Sequence, residues 1–301
     1  MSGRDTAARA APVRGARLIR RNVGRFGAWA REHRGAAAGI IVLTVMALMA
    51  LLAGLISHYD PTQVDIVHQY LPPSGEHLLG TDRLGRDLWT RLLYAGRISL
   101  AVGLSASIVA TSIGLIIGLV AGLAGGRVDA VLMRTTDVVL ALPSLIVIAI
   151  VSAIFGTGLE VIVIFIGLVG WTDGARVVRG LTLSLRELDF VHASRSMGAS
   201  SWWIMRRHLL WHVFPVLTVT GSFAVAFAIL TEAALSFLGI GVTPPLFSWG
   251  SMLSDAEDIT ILTERPWYWL APGLAIVITV LAVTLVGEGL RDTVNHKERN
   301  S

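Results

Sequence analysis

Cysteine is absent from the 301 residues, and lysine occurs once, at position 297. The first absence excludes a disulfide framework and a cysteine nucleophile. The second excludes the phosphate loop Gly-x-x-x-x-Gly-Lys-Ser/Thr, so the chain does not hydrolyse ATP by that loop. Charge is scarce as well: Asp, Glu, Lys and Arg make up 15% of the residues, against about 25% in soluble proteins. An ordinary cytosolic enzyme is therefore excluded. The eight histidines include no His-Glu-x-x-His pair, and no Gly-x-Ser-x-Gly elbow occurs. His208 and His212 form an i,i+4 pair and a weak metal signal, so neither a catalytic residue nor a metal site is expected.

What the chain has is apolar surface. Hydrophobic residues account for 53% of it, and the mean hydropathy of +0.66 excludes disorder. A pI of 10.1 would point to nucleic acid in a soluble protein. Here the 25 basic residues are spread unevenly through an apolar chain, and no nucleic-acid partner is expected.

Crossing about 30 Å of hydrocarbon takes roughly 20 apolar residues. Suitable runs are 35–57, 98–126, 138–159, about 160–179 with one polar interruption, 213–231 extended by 233–240, and 266–287. Six crossings put both termini on one side. Nine arginines precede the first crossing, and the loops on that side raise the total to 20 basic residues, against 5 on the other side. The positive-inside rule makes the richer side cytoplasmic. The expected fold is an all-α polytopic membrane protein with six transmembrane helices and both termini in the cytoplasm.

The expected organisation is an Arg-rich cytoplasmic segment at 1–34, a first transmembrane helix at 35–57, an external loop at 58–97, a core at 98–293 with five helices, and a cytoplasmic tail at 294–301. Leu18, Ile19, Val23, Phe26 and Trp29 fall near helical spacing, so the first segment is read as lying on the inner membrane face. Its length favours retention over cleavage near Ala47 and Ala50.

Gly114, Gly118, Gly122 and Gly126 recur every four residues and form a smooth helix face for close packing. Pro143 interrupts the third crossing, as a plain kink or as part of a moving gate. Glu232 is the one acid read as lying within a crossing, and it is either a hydrogen-bonding residue or part of a path. In the external loop, Arg83 and Asp87 have the spacing of an i,i+4 ion pair. On the cytoplasmic side, Asp189 to Gly198 reads as a short helix ending in a glycine turn. Ser200 or Ser201 then caps a second helix through Trp202, Trp203 and Ile204. A helix-turn-helix lying under the membrane is a plausible docking surface.

At these residues the chain resembles the second membrane subunit of the bacterial dipeptide and oligopeptide ATP-binding cassette importers. Such families carry a cytoplasmic Glu-Ala-Ala loop with a glycine following. The corresponding stretch here is His192-Ala193-Ser194, then Gly198, Ala199, Ser200, Ile204, His208 and Leu210, with Pro215 behind. His192 stands where the acid is usual, Ser194 where the second alanine is, and Trp211 where a proline is common. More specific are the stretches 78–87, Arg134 to Asp137 with Ala141-Leu142-Pro143, 232–250, 271–275 and 287–292, so that the resemblance covers about 36–293.

The resemblance implies a type I importer permease in the bacterial inner membrane. It further implies a homologous second permease subunit, two cytoplasmic ATP-binding subunits carrying ATP and Mg2+, an extracytoplasmic binding protein, and a peptide cargo. The 192–210 loop would couple to an ATPase, and no cofactor would bind this chain. A related importer of nickel or another small solute is the alternative.

Overall fold

The computed structural model describes residues 29–299, with side chains through 293. The amphipathic reading of the first 28 residues, and the side chains of the 294–301 tail, lie outside the described residues. Those described form helices and connecting loops, with no strand apart from one isolated bridge between Thr81 and Asp87.

The first crossing is α1 (Arg34–Leu51) continued by the short α2 (Ala53–Ile56). α3 (Leu88–Ala124) has 37 residues, roughly 55 Å at the helical rise. It ends because Gly125 and Gly126 take positive φ, +64° and +53°, which an L side chain resists. α4 (Gly126–Ala141) and α5 (Ser144–Phe155) follow, then α6 (Leu159–Gly170) and α7 (Thr172–Arg186), which run as one 28-residue crossing. A hairpin follows, made of α8 (Asp189–Ser196) and α9 (Ser201–Ile204). A π turn at Met205–Leu209 leads from α9 into α10 (Leu210–Phe237). Two short helices, α11 (Trp249–Ser254) and α12 (Ile259–Glu264), precede α13 (Pro266–Arg299). Among the described residues, five helices are long and apolar enough to cross a membrane, or six with the bent pair α4 and α5 counted as one span.

That third crossing differs from a straight span over 138–159. α4 and α5 meet at 84°. Proline disfavours the helical region for the residue before it, and Leu142 is accordingly extended, with φ −90° and ψ 133°. α5 alone has 12 residues, roughly 18 Å, too short to span. α4 carries polar groups that bind it to α7: Asp129 accepts from Arg179 Nε at 2.5 Å and Nη2 at 2.7 Å, and Asp137 accepts from Arg176 Nη2 at 2.6 Å.

α3 runs through the centre, packed along α7, α10 and α6. Between lipid-solvated helices, association depends on close packing rather than on exclusion of water. A Cβ on Gly114 would stand 2.9 Å from the Trp171 carbonyl, one on Gly118 2.6 Å from Val178 Cβ, and one on Gly122 2.6 Å from Thr182 Cβ. Gly126 falls outside this seam: it opens α4, and a Cβ there would meet nothing within 4 Å. α1 lies antiparallel on α13, with Gly39 against the Ala282 carbonyl. Arg97 donates to the terminal carbonyls of α1, Nε to Ala50 O at 2.6 Å and Nη2 to Leu51 O at 3.0 Å. These bonds satisfy acceptors a helix end leaves open and place a cation at its negative pole.

The loop between α2 and α3 is folded around a buried carboxylate. Asp82 accepts from the backbone N–H groups of Leu84 and Arg86, from Arg86 Nε at 2.6 Å and from buried Arg91 Nη1 at 2.6 Å. Asp255, just beyond α11, contacts Arg83 at 3.2 Å and Arg91 at 3.1 Å, joining this loop to the one that follows α11. Arg83 and Asp87 are therefore not an i,i+4 pair. The segment is a turn, and Asp87 caps α3 by accepting from Thr90 N at 2.7 Å while meeting His77 Nδ1 at 2.9 Å.

Gly118→Val is expected to separate α3 from α7 and cost about 1–3 kcal/mol, the usual range for overpacking. Gly180→Ala, where nothing lies within 4 Å, should leave the melting temperature of the detergent-purified chain unchanged or slightly raised. Equal melting temperatures for both variants would contradict the seam.

Candidate functional site

Two features stand out: a cavity inside the bundle and an exposed hairpin beneath it. The α4–α5 elbow, α3, the α6–α7 junction and α10 enclose a cavity of about 400 Å³. Small-ligand sites usually occupy about 300–1,000 Å³. Leu142 and Ser144 bring the elbow to its wall, so Pro143 shapes the cavity through the bend without lining it. Ala110 and Thr111 come from α3, Thr220, Phe223 and Phe227 from α10, and Asp173 from the first turn of α7. Phe223 and Phe227 are 41% and 40% exposed and form an apolar part of its wall.

Glu232 is elsewhere. It is fully buried, and its Oε1 accepts from Ser236 Oγ at 2.6 Å while Oε2 accepts from Ser99 Oγ at 3.3 Å. Ser248 Oγ reaches Ser236 Oγ at 3.2 Å, and Ser99 Oγ also accepts from Trp249 N at 3.1 Å. The carboxylate thus fastens α3, α10 and the start of α11 and does not line the cavity. The acid that does face it, Asp173, is the polar interruption of the fourth crossing. Counting acids only within unbroken apolar runs missed it.

The α8–α9 hairpin is held by one apolar cluster: Val191, Ile204, Leu209 and Val213 pack with Leu119 and Leu123 of α3 and Val178 and Leu185 of α7. Its polar groups are satisfied locally. Ser194 is buried and donates to Phe190 O at 2.8 Å. Gly198, at φ +85°, lets its own N–H reach Arg195 O at 2.9 Å and that of Ala199 reach Ser194 O at 3.0 Å. Ser200 then caps α9, accepting from Trp203 N at 3.2 Å. His208 lies between Phe190 and Trp203, with ring centroids 5.4 and 5.1 Å away, and Leu210 is half-buried at the start of α10. His192, Ala193, Gly198 and Ser200 are exposed, as are Met197 at 80% and Trp202 at 66%.

The structure therefore brings all nine sequence-selected loop residues into one unit. Two of its most exposed apolar side chains, Met197 and Trp202, were placed in the sequence without a role, although large apolar residues beside a glycine turn are a readable signal. His212 Nδ1 bonds the His208 carbonyl at 2.8 Å, so the two histidines form a helix-local contact. Among the described residues, no group of three or more His, Asp or Glu converges on a metal position.

Comparison with known proteins places this arrangement. Residues 114–300 match the model for the binding-protein-dependent transport system inner membrane component, and residues 28–73 match that for the N-terminal TM domain of oligopeptide transport permease C. The chain belongs to the binding-protein-dependent transport permease family. It is 41% identical over 262 residues to a Brucella suis protein named as a peptide permease, covering 87% of this chain and 86% of that one. It is 38% identical to the oligopeptide transport system permease protein OppC of Bacillus subtilis, covering 89% and 88%. In fold it is similar to a chain of the MetNI methionine ABC transporter in an inward-facing conformation. The TM-score is 0.53 at 18% identity, with 67% of this chain and 95% of that one covered. The permease is thus a multi-pass membrane protein with a type I importer fold.

In the permease, Glu232→Gln should preserve uptake and stability, because an amide oxygen still accepts from Ser236. Glu232→Leu should lower stability by about 1–3 kcal/mol, the cost of leaving buried hydroxyls unpaired. Loss of uptake in a stably folded Glu232→Gln variant would instead show that the carboxylate titrates during transport.

Proposed function

We propose that this chain is one of two related permease subunits of an ATP-driven importer of dipeptides or oligopeptides, and that it forms half of the translocation path. The observation that carries this reading is that the cavity and the exposed hairpin share their supports. α7 and α10 line the cavity with Asp173 and Phe223, and the same two helices hold the hairpin through Val178, Leu185 and Val213. A push on Met197 and Trp202 is transmitted to the cavity wall through packed side chains. Close-packed interiors transmit strain instead of absorbing it.

The exposed Phe223 and Phe227 support a facing second permease subunit across the cavity. Exposed Met197 and Trp202, flanked by Arg195, Arg206 and Arg207, support docking into a cytoplasmic ATP-binding subunit, since aromatic and methionine side chains are favoured at the centres of such contacts. Two ATP-binding subunits and an external binding protein complete the complex in this reading. The peptide cargo follows from the naming of the relatives and from the oligopeptide permease C match at 28–73. The division proposed from sequence stands as part of the same reading, with an external loop at 58–97 and a coupling loop near 189–212.

ATP-driven motion requires that nucleotide shift a two-state equilibrium through this contact. Gly198→Val forces an L side chain to φ +85° and should disrupt the hairpin turn. In proteoliposomes containing the whole complex, uptake should fall by about 5- to 150-fold, the range of typical coupling energies, while ATP hydrolysis persists. Normal peptide uptake by Gly198→Val would remove Gly198 from the coupling mechanism.

A further inference from the structure

Asp173 is the single charged residue on the cavity wall. A carboxylate in the first turn of a helix is favoured by the dipole, and that alone would assign it nothing. Its surroundings go further. The side chain is exposed, within a 28-residue crossing whose most apolar 18-residue stretch has a mean hydropathy of 1.8. No described side chain bonds to it, and Arg176, one turn along, is held by Asp137 at 2.6 Å. A charge in such a crossing persists where it faces a water-filled cavity or meets an opposite charge. Phe223 and Phe227 share the same wall, and aromatic faces attract cations as well. Thr111, Ser144, Thr172 and Thr220 contribute the remaining polar side chains of the lining.

The geometry points to Asp173 as a specificity-determining residue of the path, a carboxylate that favours passage of peptides bearing a positively charged side chain. This rests on the reading of the cavity as half of a peptide path. The negative charge lowers the free energy of a cationic side chain inside the bundle and raises that of an anionic one. Neutral side chains are unaffected.

The test uses the complete importer in proteoliposomes and three tripeptides that differ only in a lysine, norleucine or glutamate side chain. Each variant's uptake is divided by that of the unsubstituted complex for the same peptide, so any preference of the binding protein cancels. Asp173→Asn should reduce lysine-peptide uptake about tenfold, a modest loss for removing one partner of a partly desolvated charge pair. Norleucine-peptide uptake should stay unchanged, and glutamate-peptide uptake should stay equal or rise. Asp173→Glu should restore the lysine preference.

Equal ratios for the three peptides, with brisk uptake by the unsubstituted complex, would overturn the assignment of Asp173 alone. An unsubstituted complex that moves a different cargo and none of the three peptides would overturn the peptide reading, and the assignment with it.

Discussion

The seam between α3 and α7 is the contact on which the rest of the permease depends. Gly114, Gly118 and Gly122 leave no room for a methyl group between the two helices, so their backbones approach to the limit of van der Waals contact. In lipid this closeness substitutes for the hydrophobic effect, which gives apolar helices little reason to prefer one another over acyl chains. With α7 fixed, its arginines fix α4: Arg179 and Arg176 hold Asp129 and Asp137. The bend at Pro143 then turns α5 away from α4, and the cavity is the space left between elbow and α10.

Each end of the bundle is closed by a different device. At the end that carries the α2–α3 loop, buried Asp82 gathers Arg86 and Arg91, Asp255 joins them from beyond α11, and Glu232 with its serines ties α3 to α10 and α11. Breaking a buried charge pair costs about 3–5 kcal/mol because the partner charge is stranded, so this end is rigid. At the end that carries the hairpin the contacts are apolar, from Val191, Ile204 and Leu209 onto α3 and α7. Apolar packing is non-directional and permits small sliding motions.

Much of this was legible in the sequence. Apolar runs located the helices because a membrane demands about 20 such residues, and Gly198 and Ser200 marked the hairpin because turn and cap chemistry is local. What failed was non-local. Pro143 announced a break, while the 84° angle depends on α4 being held by α7. Arg83 and Asp87 matched a helical spacing, but the segment folds around Asp82 instead. Glu232 was open to a hydrogen-bonding role or a path role, and Ser236 one turn along with Ser99 from α3 give it the first. Gly126 continued the four-residue rhythm past the end of its helix. Asp173 was passed over because its role depends on which helix faces the cavity.

The central claim is that this cavity is a water-filled path that responds to nucleotide. Because the chain has no cysteine, one introduced thiol reports from a single place on it. Labelling Thr220→Cys, on the cavity wall, with a membrane-impermeant thiol reagent in the assembled complex is the most direct measurement. Ile150→Cys, exposed on α5 outside the cavity, is the reference. The account predicts that Thr220→Cys reacts at a rate that changes when ATP is added, while Ile150→Cys stays unreactive. A Thr220→Cys thiol as inert as that at 150, with and without ATP, would contradict it.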